Sequence, residues 1–103
     1  MKKSLLIKNL LTGKSKKSKE YMIAEVPVGE GKLFKIGYGK VAIFKDENGQ
    51  VYTFSPICKH MGCIVDWNSE DKTWDCPCHG SRYDRYGKVI HGPTKADLDK
   101  KEL

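Results

Sequence analysis

The stretch CPCHGSRYD, residues 76–84, sets two cysteines either side of one proline and follows them with histidine, glycine and serine. An earlier stretch, CKHMGC at residues 58–63, holds two cysteines, a histidine and a glycine as well. Drawing one cysteine and one histidine from each gives Cys58, His60, Cys76 and His79, with 15 residues between His60 and Cys76. Cys63 and Cys78 are left over, one per box, in what read as matching places. Two thiolates and two imidazoles suit zinc or an iron–sulfur cluster. Zinc knuckles usually keep two cysteines together, with roughly two to four residues between them. Each box here mixes one cysteine with one histidine, which is not that pattern, so a structural zinc module stands only as an alternative.

Around the boxes the sequence reads as short strands. KLFKI (32–36), KVAIFK (40–45) and VYTFS (51–55) are rich in β-branched and aromatic residues. GYG and DENG separate them at hairpin length. CIVDW (63–67) and KTWDC (72–76) flank NSED, with Trp67 and Trp74 placed to pair across strands. RYDRYGKVI (82–90) turns at Gly87. Many short strands with close turns predict a small all-β antiparallel sandwich or barrel, with both boxes on loops at strand ends.

With 103 residues there is room for one domain. A core this small gains noticeably from a metal centre or a cross-link. The net charge of +6 is local: residues 1–20 hold seven lysines against Glu20, and the remainder balances. A basic tail on a neutral body reads as a solvated linker or a handle for an acidic partner. No basic–aromatic interleaving supports nucleic-acid binding. GKS at residues 13–15 is no phosphate-binding loop, because Lys8 stands where the first glycine belongs. Leu5, Leu6, Ile7 and Leu10 could line a brief amphipathic helix, but Lys8 and Asn9 interrupt the run. Nothing approaches the roughly 18 apolar residues of a transmembrane segment. The expectation is a basic tail over 1–20, a folded domain over 21–103, and a cytoplasmic protein.

The double signature CKHMGC…CPCHGSRYD resembles that of Rieske [2Fe–2S] proteins, over roughly residues 22–103. The run IVDWN…WDCPCHGSR is most similar to the Rieske domain at the C-terminal end of some bacterial flavin-dependent oxidoreductases. The resemblance implies that Cys58 and Cys76 bind one iron of a [2Fe–2S] cluster, and His60 and His79 the other. It implies a disulfide between Cys63 and Cys78, tying the two loops together. A link closing about 15 residues contributes ~3 kcal/mol in the chain-entropy model. A cytoplasmic disulfide runs against the usual compartment rule unless the loops shield it. Ser81 would donate its hydroxyl to a bridging sulfide and Tyr83 its phenol to the Cys58 sulfur. Gly62 and Gly80 would let the backbone pass close to the sulfides. Gly92-Pro93 resembles the start of the family's proline loop, where this chain reads GPTK in place of the Gly-Pro-Ala-Pro of respiratory-chain members.

Charge gives the expected redox character. Two thiolates neutralise an oxidised [2Fe–2S] core, whereas four would leave it dianionic and harder to reduce. Histidine ligation therefore raises the potential, into a range of roughly −150 to +300 mV. With the disulfide and both hydroxyl donors, the upper half is expected. The histidines' outer ring nitrogens should lose protons more readily in the oxidised state, so the potential should fall with alkaline pH.

Nothing resembles a nucleophile, a general base or a substrate pocket. The implied role is a one-electron carrier serving a flavin oxidoreductase, and not a catalyst alone. A Rieske ferredoxin feeding an oxygenase is the alternative, though such ferredoxins usually lack the disulfide cysteines. A respiratory or photosynthetic Rieske subunit would need a membrane anchor.

Overall fold

Seven residues across the expected boundary between the tail and the folded domain form a helix: α1, Lys19–Glu25. The computed structural model describes residues 19–59, 62–78 and 80–103, and α1 opens them. Met22 on α1 and Val26 just past its end stand four apart, and both are buried in one cluster with Val41 and Ile43. Two turns are too short for a helical period to be read from sequence. Pro27 follows Val26, and the residue before a proline is pushed out of the helical region. The helix expected on Leu5, Leu6, Ile7 and Leu10 lies outside the described residues.

Two antiparallel sheets follow, giving the expected small all-β sandwich. The first has the order β1-β2-β3, from β1 (Gly31–Ile36), β2 (Gly39–Lys45) and β3 (Val51–Phe54). The second has the order β4-β5-β6-β7, from β4 (Asp66–Asn68), β5 (Thr73–Asp75), β6 (Arg82–Asp84) and β7 (Val89–His91). Trp67 and Trp74 are register partners with ring centroids 4.9 Å apart, as their spacing predicts. The run CIVDW pairs later than it reads: β4 begins only at Asp66. Before it, Ile64 makes a single bridge to Ile57, and Val65 N–H donates to the Pro56 carbonyl at 2.9 Å. The Cys63 backbone is engaged in its own loop and cannot extend the ladder.

β2 is apolar on both faces because both are covered. Val41 and Ile43 face α1 with Met22 and Val26, while Ala42 and Phe44 face the second sheet. A strand buried on both sides loses the alternation of a half-exposed one. The core between the sheets holds Phe54, Trp74 and Tyr83, and it continues without a break to Cys58 and Cys76.

The sheets meet most closely at Gly31. A Cβ there would lie 2.7 Å from Trp74 Cζ2 and 2.9 Å from Trp67 Cδ2, closer than real contacts allow. Gly31→Ala is therefore expected to cost ~1–3 kcal/mol by overpacking. The check is the urea midpoint, which should fall at constant slope; no change would mean that the indoles yield freely.

Glu30 bolts the same junction. Its carboxylate accepts Trp67 Nε1–H at 2.8 Å, Ser69 Oγ–H at 2.8 Å and Lys72 Nζ at 2.5 Å. The bonds from Lys72, Trp67 and Ser69 outweigh partial burial and hold the Glu30 pKa down at about 2, against an ordinary 4.5. A carboxyl depressed on folding stabilises the fold fully above its unfolded pKa. That contribution is lost as pH falls from 4.5 towards 2. Glu30→Gln should lower stability at pH 7 and flatten its decline over this acid window. Urea titrations at several pH values check this, and a parallel decline in both proteins would sink it.

Candidate metal centre

Two loops, residues 58–63 between β3 and β4 and residues 76–81 between β5 and β6, are built on the same pair of backbone bonds. In the first, Cys58 N–H donates to the Cys63 carbonyl at 2.6 Å and Gly62 N–H to the Cys58 carbonyl at 3.0 Å. In the second, Cys76 N–H donates to the Ser81 carbonyl at 2.8 Å and Gly80 N–H to the Cys76 carbonyl at 3.1 Å. Each loop turns at its glycine, Gly62 with φ 77° and Gly80 with φ 81°, where side-chain-bearing residues are strained. Matched on these bonds, Cys58 corresponds to Cys76 and Cys63 to Ser81. Cys78 is then the third residue of its loop and Cys63 the last of its own, so the two do not occupy matching places as the sequence suggests. Loop register, invisible in a count of residue types, makes the difference.

Cys63 and Cys78 are joined as a disulfide with Cα atoms 6.5 Å apart. The bond ties the end of one loop to the middle of the other. The shielding expected of it is incomplete, because Cys78 is exposed and Cys63 half-buried. Cys76 Sγ lies within 4.8 Å of both disulfide sulfurs. These three sulfurs do not form a metal trio, since only a thiolate is a strong ligand and two of them are bonded to each other. Cys58 and Cys76 stay outside the disulfide and are 2% and 3% exposed.

Tyr83, fully buried on β6, brings its hydroxyl to Cys58. The oxygen accepts Lys59 N–H at 3.2 Å, and the O–H donates to Cys58 Sγ at 3.5 Å. Accepting from the backbone leaves the phenol proton to point at sulfur. Burial, then the bond to Cys58, pushes the phenol pKa above its usual 10, so the group remains a donor. Ser81 is fully buried, and its Oγ accepts Thr94 N–H at 3.2 Å. That bond uses a lone pair and leaves the hydroxyl proton for another acceptor. Thr94 is not singled out by the sequence, although it is the first of the two residues, with Lys95, at which GPTK departs from the family's Gly-Pro-Ala-Pro.

Beneath the second loop, Arg82 grips Asp75 through Nε and Nη2, each at 3.1 Å, and reaches Asp71 with Nη2 at 2.6 Å. Asp75 and Arg82 are register partners that flank residues 76–81, so the fork closes the loop at its root. Partial burial would raise the Asp75 pKa, but hydrogen bonds from Arg82, Asn68 and Thr73 lower it overall. In the first loop, Lys59 Nζ pairs with Asp99 Oδ2 at 2.9 Å.

The expected ligands His60 and His79, and Met61 between the first-loop residues, lie outside the described residues. His91 is exposed on β7. For the described half of the set, the chemistry fits a thiolate-bound centre. Two buried cysteines head equivalent loops, and a hydroxyl is aimed at one sulfur, where a thiolate accepts better than a thiol. Among the described residues no helix is long and apolar enough to cross a membrane.

Comparison with known proteins agrees with this arrangement. Residues 17–102 match the family model of the Rieske [2Fe-2S] domain. YhfW of Bacillus subtilis (strain 168), a protein named for a Rieske 2Fe-2S iron-sulfur centre, is 38% identical over 96 residues, covering 93% of this chain and 19% of its own length. The cytochrome b6-f complex iron-sulfur subunit of Chlorobaculum thiosulfatiphilum is 39% identical over 75 residues, covering 73% of this chain and 41% of that protein. The crystal structure of the plasma membrane Rieske protein PetC3 from Synechocystis PCC 6803 superposes with a TM-score of 0.62 at 32% identity, covering 68% of this chain and 72% of that one. The chain thus spans less than half the length of each of the two curated relatives. Two like-built cysteine loops, the disulfide between them and a family match over nearly the whole chain lead to one conclusion: this chain belongs to the Rieske [2Fe–2S] domain family.

Proposed function

We propose that this domain carries single electrons, with Cys58 and Cys76 holding one iron of a [2Fe–2S] cluster and His60 and His79 holding the other. When bound, the cluster supplies a centre that accepts and releases one electron at a raised potential. The observation that carries the reading is the buried Cys58 sulfur at the head of its loop, with the Tyr83 phenol donating to it at 3.5 Å. The protein's own part is to keep water from the two sulfurs, to hold the loops in register through the disulfide, and to aim hydroxyl protons at the centre. Ser81 is assigned the second such donor, towards a bridging sulfide. Each donor stabilises the more negative, reduced state.

The partner we infer is a flavin-dependent oxidoreductase in the cytoplasm, with residues 1–20 as the basic connection to it. Support comes from the resemblance of the IVDWN…WDCPCHGSR run and from YhfW, in which the matching stretch is 19% of a longer chain. A Rieske ferredoxin serving an oxygenase is the weaker reading, because the Cys63–Cys78 disulfide sets this chain apart from that group. Service to a membrane complex is the reading to which the b6-f relative and PetC3 point.

Anaerobic reconstitution followed by iron and sulfide analysis, EPR and potentiometry tests the proposal. The expected result is about two irons and two acid-labile sulfides per chain, with a one-electron potential in the upper half of the Rieske range. A colourless protein binding a single zinc would overturn it. Cys58→Ser and Cys76→Ser should each abolish the EPR signal, and a retained signal would refute the ligand assignment.

A further inference from the structure

A row of lysines leads from the tip of the β1–β2 hairpin to the first cysteine loop. Lys35 and Lys40 are register partners, and their side chains share one face of the sheet. Lys40 has the same parity along β2 as Ala42 and Phe44, which face the second sheet, so the pair projects to the side where the cysteine loops lie. Lys101 Nζ reaches the Lys40 carbonyl at 2.9 Å, and Lys100 forms a bridge opposite Phe54. Next along the chain, Asp99 accepts Ser55 N–H at 2.8 Å and pairs with Lys59, the neighbour of Cys58.

This row is unfavourable for folding alone. Like charges directly opposite each other on a sheet are destabilising. Lys35, Lys40 and Lys100 are exposed, and none of them has an ion pair among the described residues. Residues 21–103 carry as many acids as bases, so a cationic row at this end is a matter of placement and not of composition. The nearest acid on the row, Asp99, is taken by Lys59. The acids Asp46 and Glu47 lie in the β2–β3 turn, at the opposite end of the first sheet from the β1–β2 turn.

We propose that Lys35, Lys40 and Lys100 form a docking face for an acidic redox protein, guiding it to the end of the molecule where residues 58–63 lie. This rests on the one-electron reading above and names the surface chemistry of its partner. A cationic face beside the first cysteine loop concentrates an anionic partner and raises its association rate by about 10–10³, an advantage that salt screens.

The test uses the full-length holoprotein and two probes. Ferricyanide, a trianion, takes one electron from the reduced protein and becomes ferrocyanide. An acidic flavodoxin, as the hydroquinone, gives one electron to the oxidised protein and becomes the semiquinone. Stopped-flow rates for Lys35→Ser/Lys40→Ser/Lys100→Ser are compared with those for Lys32→Ser/Lys45→Ser/Lys88→Ser, which removes the same charge from outside both the row and the tail. The row variant should be slower by about tenfold with flavodoxin at low ionic strength, with a flatter salt dependence for both probes and an unchanged midpoint potential. Equal losses in the two variants would mean that net charge alone matters, which overturns the proposal. Tighter binding to phosphatidylglycerol vesicles or to a single-stranded oligonucleotide than to flavodoxin, lost in the row variant, would replace the acidic protein by that surface. A protein with no oxidisable centre would instead overturn the one-electron reading beneath it.

Discussion

Replacing Cys63 and Cys78 together by alanine is expected to lower stability by ~3 kcal/mol, the chain-entropy value for a loop of about 15 residues. For a domain of this size that is roughly 10–20 °C in Tm. The expectation rests on the disulfide joining the two loops at a sequence separation of 15. The double substitution is the informative one. Removing Cys78 alone would leave a Cys63 thiol within 4.8 Å of Cys76 Sγ, close enough to pair wrongly or compete for metal. The single variant should therefore reconstitute less cluster than the double, despite retaining more of the native sequence. Calorimetry of both holoproteins checks the first statement and iron content the second. A Tm within a few degrees of the parent would show that the loops are held by their backbone bonds and the Asp75–Arg82 fork instead.

Tyr83→Phe should lower the midpoint potential by about 59 mV, the equivalent of ~1.4 kcal/mol lost preferentially from the reduced state. Phenylalanine fills the same buried space but takes away the O–H aimed at Cys58 Sγ. It also leaves Lys59 N–H without its acceptor, so a small loss of stability should accompany the shift. Ser81→Ala provides the independent comparison, because its hydroxyl is oriented from a different element, by Thr94 N–H. A similar fall is expected, and the two shifts should add to within a few tenths of a kcal/mol if the donors act separately. Potentiometry with EPR detection reads the two single variants and the Tyr83→Phe/Ser81→Ala double variant. An unchanged potential in Tyr83→Phe would mean that the phenol serves packing alone.

Much of the site is legible because its chemistry is carried by rare residue types at close spacing. CKHMGC and CPCHGSRYD announce two loops, their cysteines and the nearby hydroxyls before any folding is considered. Tyr83 could be linked to Cys58 only through the family resemblance, since 25 residues separate them. Thr94 and Asp99 carry no signal at all: one acts through a backbone N–H, and the other is an ordinary surface acid until Lys59 is placed beside it. The lysine row is equally hidden, because residues 21–103 are neutral in sum and only sheet register aligns Lys35 with Lys40.

Hairpin turns, strand composition and the two cysteine boxes are local properties, so the sequence by itself determined the all-β class, the strand order within each hairpin and the family. Three things waited for the tertiary structure. Helix α1 exists because Met22 and Val26 find the outer face of β2, a stabilisation no seven-residue segment supplies alone. Strand β4 starts late because Cys63 is committed to its loop and its disulfide. The two loops became equivalent, and Cys63 and Cys78 inequivalent, only when backbone bonds set their register. In the first two cases a long-range contact outweighed the local preference, since burial and cross-linking are worth more than the fractions of a kcal/mol that separate one backbone conformation from another. In the third, bonds within each loop set a register that residue types do not reveal.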